Sequence, residues 1–557
     1  MPKNTSFISN FFTITKPFFA SEKKWKATAF LLAISASLIT ATTLNVKLVT
    51  TQGSWMNELV GKNSGPFLKY ILLYLIILAL YVPINVFTSY LKDRLGILWR
   101  DWLTKSLLDK YLANHAYYTI ELRREIDNPD QRIAEDVKLF TTNTTDIFVD
   151  ILTATYQLIS FSTLLWIVSP TLFFIAFFVS FLSTILSIFF FGVRLSDLNF
   201  RQNKLEASLR FNLARFRDNI ESIAFYNGET AEKITITQRF VDAIQNSIGV
   251  IKVGAQYGVF FIGINMMANL VPVVYLAPSF FSGAILIGTI TKSQAAFGSV
   301  KNAFNVVIKS LKQFSQLSAY TNRIYDLNYS TSNGDVADNI IQVMQSDNIQ
   351  VHNVNLITFD GSEKLIENLN FQLSRQDRLL ITGPSGCGKT SILRMLAGLW
   401  NEGTGDVTIP GKSKTFFISQ KPYMVICSLR DQLLYPNLQL PEEELIRALK
   451  EVNLENLSIR VGGLDNSIDF STVLSIGEQQ RISFARLLIA KPEYAFLDEA
   501  TSALDEANED LMYSLLIENN IQYVSVGHHK SLLKYHNKIL NYNAERTFEL
   551  KSNTMSI

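Results

Sequence analysis

The chain has 557 residues, too many for one hydrophobic core, and Lys+Arg 51 against Asp+Glu 49 leave a formal net charge of +2, a balance that carries no electrostatic footprint for nucleic acid. A mean hydropathy of +0.16 and 39 Phe point to lipid instead. The two cysteines, Cys387 and Cys427, exclude a disulfide framework and place the C-terminal half in a reducing compartment.

Bulky Phe residues are spread over positions 7 to 19 without a compact apolar run and a small-residue cleavage site, so no signal peptide is read there. Six stretches then approach the roughly 20 apolar residues that a bilayer core requires of a helix: 27 to 49, 67 to 91, 146 to 168, 171 to 194, 251 to 277 and 281 to 309. From Thr171 to Phe191 there is no charged residue. The fifth stretch is interrupted by Gly258, Gly263 and Pro272, and the sixth turns polar at Thr291-Lys292-Ser293-Gln294.

Ser169-Pro170 joins the third stretch to the fourth, and Ala277-Pro278-Ser279 joins the fifth to the sixth, whereas long connections follow the second and the fourth. The cations sit in those long connections: Lys92, Arg94, Arg100, Lys105 and Lys110 in the first, Arg201, Lys204, Arg210, Arg215 and Arg217 in the second. The positive-inside rule turns both toward the cytoplasm, with the N-terminus and the C-terminal half on the same side. Helical arms of about 25 residues would reach roughly 35 to 40 Å beyond the bilayer at 1.5 Å per residue. Glu125-Ile126-Asp127-Asn128-Pro129-Asp130-Gln131-Arg132-Ile133 falls at the tip of the first pair of arms, where Pro129 should interrupt the helix. Glu221-Ser222-Ile223-Ala224-Phe225-Tyr226-Asn227-Gly228-Glu229 falls in the second. Residues 328–345 are polar and turn-rich and read as a linker between residues 1–327 and 346–557.

In the C-terminal part, Leu379-Leu380-Ile381-Thr382 is a short apolar strand and Ser391 to Leu396 is helical. Between them Gly383-Pro384-Ser385-Gly386-Cys387-Gly388-Lys389-Thr390 matches the phosphate-binding loop in the context it requires. Its glycines let backbone N–H groups approach the phosphates of ATP, and the helix entered through Ser391 presents its positive end. Lys389 is expected on the β- and γ-phosphates and Thr390 on Mg²⁺. Tyr494-Ala495-Phe496-Leu497 reads as a buried strand that delivers Asp498 to the metal and Glu499 to the attacking water.

Between these two elements lies Leu474-Ser475-Ile476-Gly477-Glu478. In that position it resembles the signature of the ATP-binding cassette (ABC) ATPases, which departs here from Leu-Ser-Gly-Gly-Gln at Ile476 and Glu478. The resemblance implies that Ser475, Gly477 and Glu478 approach the ATP of a facing cassette, and the two departures leave the rate of hydrolysis open. It also implies that Gln420, in Ser419-Gln420-Lys421-Pro422, touches metal and water, and that Asp505 belongs to a D-loop, Ser502-Ala503-Leu504-Asp505. His528, in Ser525-Val526-Gly527-His528, becomes the γ-phosphate contact, with His529 as the alternative. An adenine-stacking aromatic is implied upstream; Phe359 is the candidate, with a core role as the alternative.

The membrane pattern resembles the exporter-type fold of ABC transporters, and the two loop segments, 125–133 and 221–229, resemble the cytoplasmic motifs of the subfamily D half-transporters. That group includes peroxisomal acyl-CoA carriers, a lysosomal cobalamin transporter, a mycobacterial importer of cobalamin and other hydrophilic compounds, and relatives of the SbmA/BacA peptide transporters. The resemblance implies a multidomain fold, an all-α six-helix transmembrane domain plus an α/β P-loop ATPase domain, whose loop segments act as coupling helices. It further implies an ATP hydrolase that pairs with a second copy of itself and moves a small-molecule or peptide cargo through the lipid bilayer. Abundant Ile, Asn and Lys favour a bacterial inner membrane. Ser and Thr between Ser35 and Thr43, Asn45 and Lys47, Gln256, Asn265 and Asn269, and Thr289, Gln294, Asn302 and Asn305 point to a wet cavity and polar cargo, interhelical hydrogen bonding being the alternative. Acyl-CoA transport and a membrane-bound regulatory ATPase or ATP-gated channel are the rival functions.

Overall fold

An apolar stretch in lipid must satisfy its backbone hydrogen bonds within itself, which makes the helix the element for each span. In the computed structural model, which describes residues 6–123, 126–332, 341–359, 363–436, 438–527, 529–542 and 548–554, apart from the side chains of residues 307, 308, 311 and 312, the chain separates into two units. The first comprises Met1–Ala113 and Ile126–Ser332, the second Asn114–Glu125 and Asn333–Ile557.

In chain order the helices are α1 (Phe7–Ala20), α2 (Lys24–Val60), α3 (Ser64–Leu112), α4 (Ala116–Arg123, part of the second unit), α5 (Pro129–Gln131), α6 (Val137–Val168), α7 (Pro170–Ser187), α8 (Val193–Asp218), α9 (Ile220–Phe225), α10 (Glu229–Phe281) and α11 (Ile287–Ser332). Among the described residues five helical segments are long and apolar enough to cross a membrane, those built on α2, α3, α6, α7 with α8, and α10. The sixth expected span is a helix from Ile287, but Thr291, Lys292, Gln294 and Lys301 keep it below that apolarity. One of two expectations about breaks is corrected. Helix α10 runs unbroken through Gly258, Gly263 and Pro272, because neighbouring helices and local adjustment satisfy the one carbonyl that a proline frees. The break expected at Pro129 is present: Asn128, at φ 43°, turns the chain and Pro129 opens α5 at its first turn, where a missing N–H costs nothing.

Packing in the first unit centres on Phe161 and Leu165 of α6, Leu172 and Ala176 of α7, and Phe297 and Val300 of α11, all fully buried. Helices α2 and α11 meet backbone to backbone: a Cβ on Gly288 would lie 1.9 Å from the Gly53 carbonyl oxygen, and one on Gly53 would lie 2.6 Å from that of Gly288, so only glycine permits this crossing. Toward the arm tips the buried Arg132 donates to the Asp127 carboxylate and to the carbonyls of Asp127 and Arg323, and Arg323 pairs with the buried Asp136 at 3.1 Å. The 127–132 stretch therefore locks the first unit internally. Residues 114–123 of the preceding stretch belong to the second unit, where Arg123 pairs with Glu402 at 2.8 Å. The expected linker is partly regular, since α11 continues to Ser332 and a strand begins at Gln342.

The second unit contains β1 (Gln342–Gln345), β2 (Ile349–Ile357), β3 (Lys364–Leu373), β4 (Leu379–Thr382), β5 (Gly403–Ile409), β6 (Thr415–Ile418), β7 (Ile426–Ser428), β8 (Ser467–Asp469), β9 (Tyr494–Asp498), β10 (Gln522–Val526), β11 (Lys538–Tyr542) and β12 (Phe548–Ser552). One sheet has the order β1-β5-β2-β3 and a larger one β12-β11-β4-β10-β9-β6. In the larger sheet β4, β10, β9 and β6 run parallel side by side. Its helices are α12 (Lys389–Leu396), α13 (Leu429–Leu434), α14 (Glu442–Glu451), α15 (Leu457–Arg460), α16 (Phe470–Val473), α17 (Ile476–Ala490) and α18 (Glu506–Glu518). One core packs β4 and α12 against the smaller sheet; the other gathers α13, α14 and α17 around Leu433, Leu449 and Phe484.

Candidate nucleotide site

Four parallel strands in the order β4, β10, β9, β6 end on one edge of the larger sheet, and the carboxyl ends of such strands are where open α/β sheets bind ligands. Each delivers one expected element: β4 the loop 383–388, β10 the segment after Val526, β9 Asp498 and Glu499, and β6 Gln420. These residues are distant in sequence, and strand order alone makes them neighbours.

In the loop, Gly383, Gly386 and Gly388 have φ of 155°, 81° and 96°. A Cβ on Gly383 would lie 2.1 Å from the Tyr542 carbonyl oxygen, so that position admits only glycine. The Lys389 ammonium, buried at the start of α12, donates to the carbonyls of Gly383 and Pro384 at 3.0 and 2.8 Å and so curls over the loop. Thr390 donates its hydroxyl to Asp498 at 3.0 Å. Burial pushes the Asp498 carboxyl up, while the Thr390 hydrogen bond and the nearby Arg394 pull it back. Gln420 donates its amide to the Glu499 carboxylate at 2.6 Å. Glu499 has φ 46°, a left-handed conformation that a non-glycine residue holds only where its surroundings impose it; its N–H is fixed on the Val526 carbonyl at 3.0 Å.

Two family models match the chain: ABC transporter transmembrane region 2 over residues 14–281 and ABC transporter over residues 366–502. The chain is 36% identical to an ABC transporter ATP-binding protein of Synechocystis, over 95% of its own length and 82% of the relative's. It is 35% identical to the chloroplastic ABC transporter D family member 2 of Arabidopsis thaliana, over 95% and 85%. The chain belongs to the D family of ABC transporters. It is also 29% identical to the human lysosomal cobalamin transporter, over 96% and 94%. This ABC transporter is therefore an integral membrane protein that binds nucleotide and couples ATP hydrolysis to transport.

In this transporter the signature segment opens α17. Ser475 caps that helix, its hydroxyl accepting from the Glu478 N–H at 3.3 Å while the Glu478 carboxylate accepts from the Ser475 N–H at 3.0 Å, a reciprocal capping box. Arg460 binds the same carboxylate at 2.7 Å and holds it below the usual range. The first departure from the common signature that bears a charge is thus committed to ordering the helix start. A Cβ on Gly477 would sit 2.9 Å from the Ala503 carbonyl oxygen. The buried Gln480 donates to the Ser502 hydroxyl at 3.3 Å and accepts from the Ala503 N–H at 3.1 Å, tying α17 to the D-loop. Asp505 caps α18, accepting from Asn508 N–H at 2.9 Å.

His528 lies outside the described residues. Its alternative, His529, places Nδ1 3.3 Å from Glu509. The Phe359 ring is half-buried, 4.4 Å from Trp400, and packs at the edge of the core. Ser385, Cys387 and Ser391 lie in or just after the loop, where the sequence puts them. Sequence reasoning missed Arg460, Gln480 and Glu509. The Ser-x-x-Glu spacing signals the Ser475–Glu478 helix start, but Arg460, Gln480 and Glu509 are identified only by what they touch in space.

Proposed function

We propose that two copies of this transporter pair so that the signature turn of each completes the nucleotide site of the other, and that MgATP binding and hydrolysis there drive a polar solute across the membrane. The observation that carries the hydrolytic half is the Gln420–Glu499 hydrogen bond beside the Thr390–Asp498 pair: a carboxylate is oriented next to two hard oxygen donors. Those donors suit Mg²⁺, which keeps water and phosphate ligands and needs few from protein; among the described residues no three His, Cys, Asp or Glu side chains gather into a cage. When bound, the ion neutralises charge on the phosphates. Lys389 leaves its two carbonyls for the β- and γ-phosphates, loop N–H groups hold their oxygens, Gln420 orients the water, and Glu499 accepts its proton.

For the cargo, support comes from the membrane unit. The buried Ser180 and Thr184 hydroxyls of α7 and the buried Ser293 hydroxyl and Lys301 ammonium of α11 have no hydrogen-bond partner among the described residues, and polar groups kept at that cost in a membrane mark a solute path. An acyl-chain cargo is the second reading, favoured by an apolar cavity between α6 and α11 lined by Ile151, Leu158, Phe304 and Phe314. The cations of the long connections favour a cytoplasmic ATPase unit and N-terminus, in a bacterial inner membrane. Uptake into proteoliposomes decides between the cargo readings: ATP-dependent movement of cobalamin or short polar peptides is the expected result, and movement of acyl-CoA alone overturns it.

A further inference from the structure

Glu509, one turn into α18, is 2% exposed and belongs to none of the expected motifs. Its carboxylate accepts three side-chain donors: the Thr501 hydroxyl at 2.9 Å, the Ser531 hydroxyl, and His529 Nδ1 at 3.3 Å. These donors come from two loops. Thr501 lies two residues beyond Glu499 at the end of β9, while His529 and Ser531 follow β10, the strand between β9 and β4. Thr501 and His529 also line a small cavity with Glu499, Ser502, Val526, Gly527 and Leu532. One buried carboxylate therefore fixes two walls of the space beside Glu499. The Glu499 N–H on the Val526 carbonyl pairs the backbone of these strands at their ends. Past that point, among the described residues, Glu509 is a side chain that joins the two loops. A buried carboxylate is expensive unless its acceptor sites are filled, and the donors that fill these are the two loop ends themselves.

We propose that Glu509 is a positioning residue for ATP hydrolysis: by accepting from Thr501, His529 and Ser531 it holds the loop after β10 at a fixed distance from Glu499. The proposal rests on Glu499 acting as the base. The two fail separately, because substituting Glu499 tests the base and substituting Glu509 tests its placement.

The test is steady-state ATPase kinetics on the full-length transporter in lipid nanodiscs. Glu509→Gln keeps the shape but puts an N–H₂ group where an acceptor is needed. We expect kcat to fall roughly 10- to 100-fold, the cost of a small misplacement around a reacting group, with KM for ATP and the melting temperature close to the parent. Thr501→Val and Ser531→Ala should each lower kcat by less. Combined with Glu509→Gln, they should add nothing, the non-additivity of residues that act as one unit. A parental kcat in Glu509→Gln overturns the proposal, as do losses that add across the combined variants or a fall in kcat matched by an equal rise in KM. If Glu509→Gln does not fold, Ser531→Ala decides alone: reduced kcat at parental KM supports the brace, and unchanged kcat overturns it.

Discussion

Two buried cations, one in each unit, are treated differently by their surroundings. Arg486 on α17 is 6% exposed. It donates to the Gln432 carbonyl at 2.6 Å, the Tyr423 carbonyl at 2.8 Å and the Gln432 amide oxygen at 2.7 Å, and its guanidinium lies 5.5 Å from the Tyr435 ring centre. Burial lowers its affinity for its proton, yet its donors are engaged, and through them α17 is fastened to the segment that follows Gln420. Lys301 on α11 is 3% exposed, and its ammonium has no hydrogen-bond partner among the described residues. Arg486 goes into the core where its partners wait for it. Lys301 is held in the membrane unit against stability, which is the pattern of a group retained for what passes by it.

Three substitutions probe that contrast. The largest effect belongs to Glu499→Gln, which removes the proposed base from the ATPase unit: kcat should fall by about 10² to 10⁴ while nucleotide binding, read by equilibrium titration, persists. Turnover at the parental rate would show that the matched site serves something other than proton transfer. Next, Arg486→Met strands three acceptors in the core and should cost the ATPase unit about 3 kcal/mol, read as a lower melting temperature by calorimetry. An unchanged melting temperature would mean that water or a repacked side chain replaces the guanidinium. The smallest effect has the opposite sign. Lys301→Met exchanges an unpaired buried cation for an apolar side chain of similar length and should stabilise the membrane unit by roughly 1 to 4 kcal/mol, with a loss of transport. A destabilised variant with normal transport would erase the contrast.

Legibility followed the same division. The loop 383–390, Asp498, Glu499 and the signature segment could be located because such motifs are residues at fixed spacing along the chain. The spans could be read because lipid demands long apolar runs. Their ends could not: α10 and α11 continue far beyond the apolar stretches, since an arm in water is set by packing and ion pairs, with no hydropathy signal to mark its limit. Pro272 was read as a break, whereas Pro129 stands at one, because a proline's effect depends on whether it falls inside a helix or at its first turn. The role of Glu478 was encoded locally in the Ser-x-x-Glu spacing, but its choice of Arg460 was not.

The sequence by itself determined that this chain is a helical membrane half joined to an ATPase half, and where along the chain the phosphate-loop, signature and acidic-strand motifs stand, because local motifs and bulk apolarity are properties of the chain taken in order. Only the tertiary structure decided that Gln420 reaches Glu499, that Gln480 ties α17 to the D-loop, that residues 114–123 belong to the ATPase unit, and that Glu509 collects donors from two loops. Those contacts join residues from 8 to 79 positions apart, or wholly separate segments. The order of parallel strands in the sheet, which no local pattern specifies, brings most of them together.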